Sequence, residues 1–129
     1  MVYTEDMMNF VKGLDFKANK YFSDVLELTQ EKSIAVYRKT NKNTKKPRKE
    51  DIVAQDTYVI RIYWNKSSID SERAAFELYD LLKTGHRNGQ VGAHKINLIM
   101  PVYREPIWTG RDPNGVCEWA IDIDLYYFV

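Results

Sequence analysis

The chain has 129 residues, 44% of them hydrophobic and 29% charged, with a formal net charge of +1. That length fits one domain with a core of its own, and that composition excludes a disordered tail or a fibre. A charge so near zero excludes a global pull toward nucleic acid or an anionic membrane, so any electrostatic function rests on how the charges are distributed.

The elements begin with a short helix expected over residues 5–14. Thr4 is its candidate cap, and Met7, Met8, Val11 and Leu14 fall at helical spacing on one face. Residues 16–29 stay open. Phe22, Val25 and Leu26 suit a helix, whereas Phe22, Leu26 and Leu28 suit one side of a strand. Residues 33–38 (SIAVYR) are β-branched and aromatic and predict a short strand. The strand runs into TNKNTKKPRKED, a polar stretch with Pro47 and two asparagines that reads as a long, flexible, basic loop.

Residues 57–64 (TYVIRIYW) predict the central strand. Tyr58, Ile60, Ile62 and Trp64 point one way, and Val59, Arg61 and Tyr63 the other. The clearest helix follows, with Ser68 or Ser71 as its cap and Asp70 and Glu72 in its first turn, where they complement the helix dipole. Ala74, Leu78, Leu81 and Leu82 form its expected buried stripe, and Gly85 stops it. Residues 95–100 then alternate through Ile96, Leu98 and Met100. Pro101 ends or bends that strand, and Ile107 and Trp108 resume it.

Residues 111–115 (RDPNG) are a turn, with Asn-Gly supplying positive φ angles. The last strand, residues 116–129, is long and strictly alternating. Cys117, Trp119, Ile121, Ile123, Leu125 and Tyr127 make an apolar face, and Glu118, Asp122 and Asp124 interrupt an opposite, partly wetted one. The expected fold is a single α+β domain over residues 1–129. It has a largely antiparallel, mixed sheet of about four strands with helices packed on one face, and a basic loop at about residues 40–51.

Residue types able to carry chemistry are present, but not in groups. His86 and His94 flank a Gly-rich turn that offers no further ligand, so they read as loop histidines rather than metal ligands. Gly85, Gly89 and Gly92 follow a helix instead of opening one and lack the Gly-Lys-Ser/Thr of a phosphate loop. Cys117, the only cysteine, excludes an intrachain disulfide and reads as a small core hydrophobe in a protein made in a reducing cytoplasm. MVYTEDMMNF has no signal-peptide character, and no apolar stretch reaches the ~20 residues of a membrane helix. The reading is of a non-enzymatic protein without cofactor or metal.

Charge is uneven along the chain. Arg38, Lys39, Lys42, Lys45, Lys46, Arg48 and Lys49 are opposed near by only by Glu50 and Asp51, and from residue 112 onward there is no lysine or arginine. Two uses are open. The loop can contact nucleic acid, or it can meet the acidic strand of a neighbouring copy, pairing subunits around a ring.

Residues 57–129 resemble phage minor capsid and tail-terminator (head–tail joining) proteins. The segment EPIWTGRDPNGVCEWAIDIDLYYFV carries the likeness, through Pro106, Gly110, Arg111, Asp112, Gly115, Tyr126 and Tyr127. The preceding half matches only in layout, and the lysine-rich loop departs from the family pattern. The resemblance implies a structural virion protein of the tail or neck, assembled in the bacterial host cytoplasm. It also implies a ring of identical copies, usually sixfold, that terminates the tail tube and meets the head-completion or connector protein, with room for transient contact with phage DNA in the lumen. The expected subunit or partner interface comprises Lys42, Lys45, Lys46, Arg48, Lys49, Arg111, Asp112, Glu118, Asp122 and Asp124. The alternative is a small nucleic-acid-binding module that uses the basic loop.

Overall fold

A computed structural model describes residues 2–24, 28–40, 52–84 and 86–129. The elements in chain order are α1 (Thr4–Lys12), β1 (Lys20–Ser23), β2 (Ser33–Lys39), β3 (Val53–Tyr63), α2 (Ser68–Lys83), β4 (Gln90–Val91), β5 (His94–Pro101), β6 (Ile107–Arg111) and β7 (Cys117–Phe128). The class is α+β, as expected, but among the described residues the sheet has seven strands rather than about four. Its order is β1-β2-β3-β7-β5-β4, with β6 paired to β7. All neighbours are antiparallel except β1 and β2.

The long alternating segment at the C-terminal end becomes the hub of this sheet. One edge of β7 pairs with β3 along eleven registered positions, from Glu118 opposite Tyr63 to Phe128 opposite Val53. The other edge is shared end to end, by β5 against residues 123–127 and by β6 against residues 117–120. Ile107 and Trp108 thus resume the same sheet edge that Pro101 leaves, as two strands and not one. Proline has no N–H to give the ladder, and residues 102–106 bow out between the two.

Both helices lie on one face. Met7 and Val11 of α1 and Ala74, Ala75, Leu78, Tyr79 and Leu82 of α2 join Ile34, Val36, Tyr58, Ile60, Ile62, Ile121, Ile123, Leu125 and Tyr127 in one buried cluster. Leu81 is only partly buried; Ala75 and Tyr79 complete the stripe, at the i, i+1, i+4 and i+5 positions from Ala74. Alternation in β5 fails for a definable reason. A register shift between Ile96 and Leu98 inserts a residue, so Ile96 and Ile99 both turn inward while Met100 stays 48% exposed.

Helix ends differ in detail from the sequence reading. Thr4 is the first helical residue of α1, and the Asp6 carboxylate caps the turn by accepting from the Tyr3 N–H at 3.0 Å. Gly13 ends the helix before Leu14. The α2 cap is Ser67, whose Oγ accepts from the Asp70 N–H at 3.2 Å. Ser68 is already helical. Ser71 is buried, and its Oγ accepts from the Trp119 indole N–H at 3.1 Å, tying helix to β7. The expected stop at Gly85 lies outside the described residues.

Gly92 belongs to the tight turn between β4 and β5, not to an anion-binding loop. Its φ is +58°, and a Cβ there would stand 2.8 Å from Asp6 Cγ and 2.9 Å from Asp6 Oδ2. The turn therefore seats itself on the carboxylate that caps α1, and only glycine leaves the space. The open segment 16–29 contains β1, where Tyr21 faces the main core. Phe22 faces a smaller cluster with Leu28, Ala35, Tyr63 and Val116 on the helix-free face.

Candidate interaction surface

The face of the sheet that neither α1 nor α2 covers carries paired polar side chains. Lys39 stands opposite Thr57 in β2–β3 pairing, and Asp122 stands opposite Val59 in β3–β7 pairing. Yet Lys39 Nζ reaches Asp122 Oδ2 at 2.9 Å, so its stem must cross over β3 between Thr57 and Val59. Both residues beneath that stem are buried, as a lysine lying its methylenes across apolar surface would leave them. The hydrogen bond to Asp122, and then the Coulomb attraction of its charge, hold the Lys39 pKa above its usual value.

The neighbouring acids are matched in the same way. Arg61 Nη2 lies 3.2 Å from Glu118 Oε2, and Thr57 Oγ1 donates to Asp124 Oδ1 at 2.7 Å. Asp122 is 8% exposed, so the acidic side of β7 is neither wetted nor waiting for a neighbour's lysines at that point. Glu118, Asp122 and Asp124 do share one face, as alternation predicts. Their first partners come from this chain's own β2 and β3.

Arg111 and Asp112 build the turn before β7. Arg111 Nη1 donates to the Lys66 carbonyl at 2.8 Å and to the Gly115 carbonyl at 3.0 Å. Asp112 Oδ1 accepts the N–H groups of Asn114 and Val116, each at 2.9 Å, and its Oδ2 accepts from the Tyr63 hydroxyl. That hydroxyl bond, more than the backbone ones, holds the Asp112 carboxyl below its ordinary value. In the turn itself Gly115 carries the positive φ, +85°, and Asn114 does not.

Lys42, Lys45, Lys46, Arg48 and Lys49 lie outside the described residues. Arg38 and Lys39, counted with them in the sequence, are spent inside the domain. Arg38 Nη1 lies 2.9 Å from Asp56 Oδ1, and its Nη2 donates to the Val2 carbonyl and lies 3.2 Å from the Tyr58 hydroxyl. The Tyr58 hydroxyl donates to the same Val2 carbonyl at 2.8 Å, which pins the N-terminal segment to the sheet. Burial first, then the Asp56 charge, push the Tyr127 hydroxyl up to about 12; the same causes raise Tyr58 further.

The histidines and the cysteine stay apart. His86 Nε2 lies 3.0 Å from Thr84 Oγ1 beside the Leu81 carbonyl, His94 Nδ1 lies 3.0 Å from the Phe128 carbonyl, and Cys117 is buried. Among the described residues no three His, Cys, Asp or Glu side chains gather as metal ligands would.

What sequence reasoning missed is apolar. Along the β5–β6 margin Met100, Val102, Tyr103, Ile107 and Trp108 are all exposed, and Ile69 on α2 is 62% exposed. Ile69, Glu72, Arg73 and Phe76 line a groove of about 220 Å³. The Phe76 ring at its wall stands 6.3 Å from Trp119, whose ring stands 5.2 Å from that of Trp108. An aromatic row thus runs from helix to sheet edge and ends in a tryptophan that is 44% exposed. The opposite edge strand, β1, instead begins with Lys20, and lysine is a usual guard against edge association. Comparison with family models, curated proteins and solved structures finds no match to this chain. The chemistry of this surface therefore carries the functional reading.

Proposed function

We propose that this chain is a structural subunit that assembles into a ring of identical copies, in the manner of the phage tail terminators its C-terminal half resembles. In that role it closes a tail tube and offers a face to the head-completion or connector protein. The observation that carries the reading is the apolar margin of Met100, Val102, Tyr103, Ile107 and Trp108, five exposed hydrophobic side chains within nine residues of one sheet edge. A contiguous exposed patch of this kind marks a protein contact surface.

The self-neutralised sheet face adds to this. Lys39–Asp122 and Arg61–Glu118 bring charge to balance within one copy, so two copies can approach without a large field to overcome. Nucleic-acid binding by the basic loop is the weaker reading, since two of its seven cations, Arg38 and Lys39, are engaged with Asp56 and Asp122.

Native mass determination across a concentration series tests the proposal. A closed oligomer, sixfold for a tail terminator, is the expected result. A chain that stays monomeric at every concentration, and binds DNA with an affinity that falls steeply as salt is raised, overturns it in favour of the alternative.

A further inference from the structure

On the apolar side, β6 and the part of β5 that β4 leaves uncovered are poor templates for backbone pairing. Pro101 closes the end of β5, and β6 is broken by a register shift between Trp108 and Gly110, where Gly110 has a φ of +113°. Bulges and prolines at these points disfavour strand addition. A contact here is therefore made by side chains.

Two surfaces of the chain fit one another. The first is the groove of Ile69 and Phe76, bordered on α2 by Glu72 followed by Arg73, from whose wall the Phe76–Trp119–Trp108 row runs to the exposed Trp108. The second is the corner at residues 102–105, where the exposed Val102 and Tyr103 are followed by Arg104 and Glu105. The Tyr79 hydroxyl donates to the Tyr103 carbonyl at 2.7 Å and holds this corner in place. An apolar pair followed by plus then minus thus has a counterpart in an apolar groove bordered by minus then plus. None of the four charged side chains forms an ion pair among the described residues.

We propose that the corner at residues 102–105 of one copy docks in the Ile69–Phe76–Trp108 groove of a second copy, with Arg104 against Glu72 and Glu105 against Arg73. The inference rests on the ring reading and supplies its contact. Where each copy gives its corner to one neighbour and its groove to another, the contact is heterologous, and a rotation that closes makes the ring. Tyr103 and Trp108 are the anchors, being large, exposed and aromatic. The charges set register more than affinity.

The test uses the whole chain and the charge reversals Glu72→Arg and Arg104→Glu, alone and together, read by sedimentation across a concentration series. All four positions touched by the pairing are solvent-facing, and thermal melts confirm that each variant is folded. Each single reversal weakens association by about fivefold or more per contact, and the double reversal restores it. Trp108→Ala weakens it in every background. If the wild-type chain assembles but single reversals do not weaken it, or the double reversal gives no rescue, this surface is wrong and the ring reading stands. If the wild-type chain stays monomeric, the ring reading fails and takes this contact with it.

Discussion

Gly92→Ala is the substitution whose cost can be worked out most fully from the structure. A methyl at this position stands 2.8 Å from Asp6 Cγ and 2.9 Å from Asp6 Oδ2, inside contact distance, and the residue's φ of +58° is one that alanine resists. The left-handed conformation costs roughly 1–2 kcal/mol for an L-residue. The displaced carboxylate no longer accepts from the Tyr3 N–H, and loss of such a cap costs about 1 kcal/mol. The sum is about 2–3 kcal/mol, which for a domain of this size lowers Tm by roughly 10 °C. The Asp6→Ala variant separates the two contributions. Alone it loses only the cap. Combined with Gly92→Ala it removes the steric conflict, so the pair costs about 1 kcal/mol less than the sum of the singles. Urea unfolding of the four proteins measures this coupling, and amide exchange at the first turn of α1 reports the cap directly. A Gly92→Ala protein as stable as wild type, or strict additivity with Asp6→Ala, refutes the idea that the turn rests on the helix cap.

Other outcomes follow from the core and the ionisable groups. Leu82→Ala empties a fully buried position beneath α2 and costs about 2–5 kcal/mol by chemical denaturation; a melt within a degree of wild type would place that helix face elsewhere. Raising pH destabilises the fold from about pH 10. Tyr63 and Tyr127 ionise near 10.0 when unfolded but only near about 12 when folded, so the unfolded chain releases protons first; equilibrium unfolding from pH 9 to 12 reads the fall. Asp112 acts in the opposite direction. Its lowered pKa contributes stability above the unfolded value of 3.8 that is lost as pH falls through the folded one, and Tyr63→Phe reduces this acid sensitivity. Asp122→Asn removes the anchor of the lysine that crosses β3, and exchange protection at Thr57 and Val59 falls while the helix-side core keeps its own.

The sequence made the helix-side core legible because its patterns are long. Residues 58–64, most of them in β3, and residues 117–127 of β7 carry an apolar side chain at every second position, and the α2 stripe runs from Ala74 to Leu82 at helical spacing, so period and length agree. The missed strands are those where pattern has no length to show itself. β4 has two residues, β1 has four, and β6 was hidden in the apparent continuation of β5. The bulge at Ile96 was invisible because a one-residue insertion changes no composition, only which face each later side chain occupies. Site residues fared unevenly for a related reason. The acids of β7 were placed on the correct face, but their partners come from strands tens of residues away, and no local pattern announces Lys39 reaching Asp122 across an intervening strand. The exposed row from Ile69 to Trp108 was equally silent, since an apolar residue looks the same in sequence whether it faces core or solvent.

The place of β7 also governs how the protein can be made. Among the described elements it comes last in chain order, yet it lies in the middle of the sheet, between β3 and the β5–β6 edge. While a ribosome is still emitting the earlier strands, β3 has an unfilled edge along eleven positions, and β5 and β6 have no strand on which to align. The sheet cannot close from the N-terminal side inward, as a chain of successive hairpins could. It closes only when β7 inserts, and α2, which packs on β7 and β5, gains its floor at that moment, whereas α1 rests on β1, β2 and β4. A nascent chain in which residues 117–128 have yet to emerge therefore carries open β edges and a half-built apolar face, the features that invite pairing with other chains.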